Sequence, residues 1–114
     1  MMTSPTALAE QLQRLNERDY VRFTAHWLTT ATDLDQEPPL TGDRLIDALV
    51  SAAAAHAAFT STGIVPKWTG TKPRVLDHFW HPGHPNLFAY SLVHSPASFA
   101  LHGILIEESS LVSV

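Results

Sequence analysis

The chain has 114 residues, of which 45% are hydrophobic and 16% charged, with seven basic and eleven acidic side chains and a formal charge of −4. That length fits one domain, able to bury roughly two-thirds of its unfolded surface. The absence of cysteine excludes disulfides, zinc–thiolate sites and cysteine nucleophiles. The acidic balance makes nucleic acid a poor default partner, because phosphate contacts need Lys and Arg.

The acidity sits at the front. Residues 1–50 hold eight acidic against four basic side chains, and the remainder holds three of each. The charged share lies below the usual ~25%. This points to polar surface traded for contact surface, in an oligomer or with an obligate protein partner. No basic stretch followed by an apolar run opens the chain, which predicts no signal peptide and a cytoplasmic protein. The apolar run from Ala52 to Ala58 is interrupted by His56 and is too short to span a bilayer.

The first helix signal is Ser4-Pro5, a cap followed by proline at the first helical position. Leu8, Leu12 and Leu15 then form one apolar stripe, and Asn16 breaks it. A second helix is predicted over 17–31, with Tyr20, Phe23, Trp27 and Leu28 on one face and Glu17, Arg18 and Arg22 largely on the other. The two make a helical hairpin over 1–31. A DNA-reading helix needs more exposed Arg, Lys, Asn or Gln than Arg18 and Arg22 supply. Residues 32–41 are a solvated breaker. Asp33, Asp35 and Glu37 alternate as in a calcium loop, but the glycine and downstream glutamate such a loop needs are missing.

The strongest helix is predicted over 41–62, capped by Thr41, with Asp43 in its first turn and Gly63 ending it. Leu45, Leu49, Ala52, His56 and Phe59 mark its apolar face, and its alanines let a second helix approach closely. Residues 63–85 follow as an irregular, ordered segment rich in Pro, Trp and His. Ile64, Val65 and Trp68 are predicted to fold back onto the long helix, and Leu76, Phe79 and Trp80 to point inward. Residues 86–102 return to helix, capped first by Asn86 and again by Ser95-Pro96, with Gly103 as the stop. Ile104, Leu105 and Ile106 are β-prone, and residues 111–114 offer a weaker second strand.

Three constellations could carry chemistry. Asp77, His78, His81 and His84 are spaced by threes, but Pro82, Gly83 and Pro85 forbid the helix that would align His78, His81 and His84 on a metal. Asp77 with His78, or His94 with Glu107, could form an acid–base pair. Lys67, Lys72 and Arg74, with Trp68 between them, form a small basic–aromatic patch that could stack on single-stranded nucleic acid or face an acidic protein groove. Serine-nucleophile, phosphate-loop and dinucleotide motifs are absent. No cofactor is implied.

Several motifs occur in a definite order. Ala54-Ala55-His56 leads to Gly63-Ile64-Val65-Pro66-Lys67-Trp68-Thr69, then to Arg74-Val75-Leu76-Asp77-His78-Phe79-Trp80. Next comes Ser95-Pro96-Ala97-Ser98-Phe99-Ala100-Leu101-His102-Gly103-Ile104-Leu105-Ile106, and a final Leu111. This order resembles the C-terminal, non-helix-turn-helix region of small bacterial antitoxin-type regulators encoded beside nucleotidyltransferase-like toxins. The resemblance covers 45–111. It implies a non-enzymatic module that covers or distorts a toxin from the same operon, with Trp68, Lys72, Arg74, His78, Phe79 and Trp80 as contacts. A competing reading makes Trp68, Phe79 and Trp80 core anchors. The chain departs from the family pattern over 1–40, which is short and acidic, so operator binding is not implied.

The combined reading is a single mainly α domain over 1–114. It would have five or six helices, a Pro/Trp-rich irregular segment and a short C-terminal β element. Two alternatives remain from the residues. One is a DNA- or RNA-binding regulator using the hairpin and the basic patch. The other is a metal-binding or hydrolytic protein using the histidines.

Overall fold

In the computed structural model, which describes residues 3–111, the chain forms five α-helices joined by short 3-10 turns. Helix α1 (Pro5–Leu12) begins as its chemistry dictates: Ser4 Oγ accepts the Ala7 N–H at 3.2 Å and Pro5 takes the first helical position. Leu8 and Leu12 are buried. A 3-10 turn over Glu17–Asp19 leads into α2 (Tyr20–Leu28). This helix is shorter than the predicted 17–31. At its end the Thr29 and Thr30 hydroxyls donate back to the His26 and Trp27 carbonyls, competing with continued backbone pairing. The hairpin closes where the Trp27 indole N–H donates to the Ser4 carbonyl and Thr3 bridges in parallel to Ala31.

Helix α3 (Arg44–Thr62) is the centre of the fold. Its cap is Asp43, not Thr41. The Asp43 carboxylate accepts the N–H groups of Leu45 and Ile46 at 3.0 and 3.2 Å. Thr41 instead gives its N–H and hydroxyl to Asp47 Oδ1 at 2.9 and 2.8 Å, which satisfies a buried carboxylate. Gly63 ends the helix at φ 76°, the left-handed conformation that glycine adopts without a Cβ clash. Ala48, Leu49, Ala52, Ala53 and Ala54 have no exposed surface, and α1, α2 and α5 all pack on this flat face. The helix is long and apolar enough to cross a membrane by length and composition alone, with a mean hydropathy of 1.2. Yet 61% of that stretch is buried inside the fold, as in a core helix.

Past Gly63 the chain departs from expectation. Ile64 is 77% exposed and Val65 41%, so neither is buried against α3. Trp68 is. It sits in a 3-10 turn over Lys67–Gly70, and its indole N–H donates to the Leu34 carbonyl at 2.9 Å. A second 3-10 turn, Lys72–Arg74, brings Arg74 inward.

The C-terminal third holds α4 (Phe88–His94) and α5 (Ala97–Leu101). The predicted caps shift by one or two residues. The His84 ring accepts the Asn86 N–H at 3.1 Å and opens a 3-10 turn over Pro85–Leu87, so Asn86 is not the cap. Ser95 turns its hydroxyl back to the Ser91 carbonyl and closes α4 rather than capping α5. Gly103 stops α5 at φ 85°, where a Cβ would lie 2.9 Å from Leu76 Cβ. Its bare backbone lets the 76–80 segment pass close by. Trp80 then bridges in parallel to Ile104. This bridge is the whole of the C-terminal β element among the described residues. Ile104, Leu105 and Ile106 are buried core instead of a strand, and Pro82 prevents the partner segment from extending the ladder. Leu111 closes a 3-10 turn over Glu108–Leu111 and is buried. The rest of the predicted second strand, 112–114, lies outside the described residues.

Candidate partner-binding surface

The segment 85–94 is apolar nearly all round: Leu87, Phe88, Tyr90, Leu92 and Val93 leave no single stripe. A seven-residue helix can turn only one narrow face to the core, and the residue α4 buries is Ser91. Ser91 Oγ lies 2.9 Å from His81 Nε2, which fixes α4 to the His-rich turn. Leu87, Phe88, Tyr90, Leu92 and Val93 all remain exposed, Val93 by 76%. Phe79, 54% exposed, meets Phe88 edge-on with centroids 6.3 Å apart. His81 meets the same ring at 5.7 Å, and Tyr90 stacks on His94 at 4.0 Å. The result is an aromatic cluster built outside the core, of the kind that marks a contact surface.

The residues expected to contact a partner divide between surface and interior. Lys72, His78 and Phe79 are exposed, and Trp80 is half-buried in its bridge to Ile104. Trp68 and Arg74 are interior, so neither is placed to contact a partner as expected. Arg74 is 1% exposed. Its guanidinium lies 4.9 Å over the Trp68 ring, donates to Ser51 Oγ at 3.2 Å and to the Pro38 carbonyl, and pairs with Glu37 at 3.2 Å. Phe79, more than half exposed, is a surface residue and not the core anchor of the competing reading. Trp80 does pack against the core edge.

The basic patch loses a member by the same geometry, leaving Lys67 and Lys72 on the surface. In the hairpin, Arg22 is paired with Asp19 at 3.2 Å. Both elements of a nucleic-acid reading are thus thin in free positive charge. The histidines do not converge either. His81 faces Ser91, His84 caps its own turn, and His78 is exposed beside Phe79. Among the described residues no group of three or more His, Asp or Glu is placed to hold a metal. Asp77 pairs with Arg44 at 3.8 Å, and His94 is stacked on Tyr90.

Two features escaped the sequence. Leu101, an apolar member of the short helix after Ser95-Pro96, is 75% exposed and stands proud of α5. His102, next to it, is buried. Its Nδ1 and Nε2 each lie 2.6 Å from a carbonyl oxygen, of Ser98 and Thr69 respectively, so the ring ties α5 to the 3-10 turn after Pro66. No periodicity could have shown this. The exposed run 87–93 did carry a signal, namely hydrophobicity without a stripe.

His56 lies against Phe99, centroids 5.5 Å apart, and burial pushes its imidazole below the ordinary histidine range, with Glu108 opposing the shift. The unfolded chain takes up this proton near pH 6.5 and the folded chain resists it. The stability that follows is fully present above that pH and is lost as pH falls through it toward the lowered folded value. Urea midpoints at about pH 7.5 and 5.5 should therefore fall less in His56→Gln than in the wild type. Equal losses in the two proteins would contradict the burial argument.

No protein-family model matches the chain, and neither a curated protein nor a solved structure matches it.

Proposed function

We propose that the chain is a non-enzymatic protein-interaction module of the cytoplasm, an antitoxin-like protein that binds and neutralises a toxin encoded beside it. The observation that carries this reading is α4. Its apolar side chains, with Phe79 beside them, are held in a defined arrangement and left uncovered. An isolated fold gains nothing from ordering Phe88, Tyr90, Leu92 and Val93 at the surface, whereas a partner that buries them gains about 25 cal/mol per Å² of apolar area. The resemblance of its motif order to antitoxin-type regulators suggests the partner class. Inhibition is steric in this scheme, since the module covers the toxin and needs no cofactor.

The test is co-expression with the adjacent open reading frame, followed by size-exclusion chromatography with light scattering and a growth assay. A stable complex and restored growth are expected. Val93→Asp places a charge on the exposed face without touching the core, and should weaken the complex about tenfold while leaving the melting curve unchanged. A chain that elutes alone and does not restore growth overturns the reading.

A further inference from the structure

Two concavities flank Leu101. One, of about 480 Å³, is lined by Ala55 and Phe59 of α3, by Val65 and Val75, and by Leu101 and His102. The other, of about 400 Å³, is lined by Leu76, His78 and Phe79 together with Ala100, Gly103 and the same Leu101. Leu101 is the ridge between them. Exposed Phe59 marks the outer wall of the first and exposed Phe79 that of the second. Phe79 in turn meets Phe88 edge-on, which links the smaller hollow to α4.

Basic side chains outnumber acidic ones around these hollows. Lys67 lies between the lining residues Val65 and Thr69, and Lys72 between Gly70 and Val75. Both are exposed, and neither has an ion-pair partner among the described residues. Among the described residues no acidic side chain lines the larger hollow. Asp77, which lines the smaller one, is drawn to Arg44.

We infer that this double hollow is a receptor groove for an acidic amphipathic helix, the element by which the partner of the proposed function docks. Two large apolar side chains on one face of that helix enter the two hollows and straddle Leu101. Anchors three, four or seven residues apart share one helix face, as in other helix-in-groove contacts. Asp or Glu residues on the flank meet Lys67 and Lys72, which sets orientation and discriminates against basic helices. The inference rests on the interaction-module reading, but it can fail or stand separately from it.

The experiment uses the full chain and a fluorescein-labelled acidic amphipathic peptide of about 15 residues, long enough to form helix on docking, with leucines along one face. Two controls carry the same leucines. One has lysines in place of the acids, and the other has a central proline that breaks the helix. Fluorescence anisotropy should show saturable binding of the acidic helix and weak binding of both controls. Leu101→Glu fills the ridge with a charge and should weaken binding about tenfold or more. The double variant Lys67→Glu/Lys72→Glu should reverse the preference between acidic and basic peptides. Leu101 and both lysines are exposed, and circular dichroism melts verify that the variants fold. Equal binding of the proline peptide overturns the helix, and an unchanged charge preference in the double variant overturns the role of the lysines. Binding unaffected by Leu101→Glu overturns the groove. A toxin complex that survives Leu101→Glu also overturns the groove and leaves the antitoxin reading intact. Peptide binding without any toxin complex does the reverse.

Discussion

Arg74→Ala should lower the stability of the fold by about 3 kcal/mol, a large share of the ~5–15 kcal/mol available to a domain of this size. The Glu37 pair contributes little of this, because Glu37 is half-exposed and water takes over its carboxylate. The loss comes from the other three partners. The Pro38 carbonyl loses its donor in a buried place, Ser51 Oγ loses its guanidinium, and Trp68 loses the cation stacked 4.9 Å over its ring. The vacated volume adds a cavity term. Arg74→Met refills most of that volume without restoring a donor, so the difference between Met and Ala isolates the packing part. Arg74→Lys should recover less than half, since one ammonium cannot reach three acceptors and stack at the same time. Urea unfolding followed by tryptophan fluorescence reads all three variants. A change in Arg74→Ala within about 0.5 kcal/mol, the range of ordinary surface substitutions, would show that the guanidinium is not the clamp described.

This residue also shows where reading the chain in order stops. Arg74 stood in a run with Lys67 and Lys72 and read as surface. The groups that draw it inward, Glu37 and Ser51, are 37 and 23 residues away, and no local pattern brings them to mind. Features settled within one turn of chain were legible. Ser4-Pro5 caps α1, Leu8 and Leu12 form its buried stripe, and Gly63 and Gly103 adopt the left-handed conformation for which they were singled out. Caps that depended on which of several neighbouring polar groups wins moved, from Thr41 to Asp43 and from Asn86 to His84. The apolar run at 87–93 read as helix, but which of its side chains lie inside was not legible, because hydrophobic residues also populate the surface. The larger hollow beside Leu101 needs α3, the irregular segment and α5 at once, and the smaller needs the irregular segment against the end of α5, so neither could be seen before the fold.

Phe99→Ala is the other large effect expected, a loss of about 3–5 kcal/mol. Helix α5 has five residues and no side-chain cap, far too few to be helical on their own account. It exists because Phe99, with no exposed surface, is inserted against α3, and because His102 ties its end to Thr69. Removing the ring leaves a cavity at the contact between α3 and α5, and a short helix has little else to hold it. Phe99→Leu keeps most of the volume and should cost less than about 1.5 kcal/mol. The two substitutions also separate stability from function. Phe99 sets the position of Leu101 two residues on, so Phe99→Leu, still folded, should shift Leu101 and weaken binding of the acidic helix. Phe99 is in addition the ring that helps keep water from His56. In the alanine variant the imidazole should move back toward its ordinary value, and the loss of stability on acidification should shrink as it does in His56→Gln. A Phe99→Ala protein that keeps both its urea midpoint and the wild-type pH dependence would mean that α5 is anchored by something other than this ring.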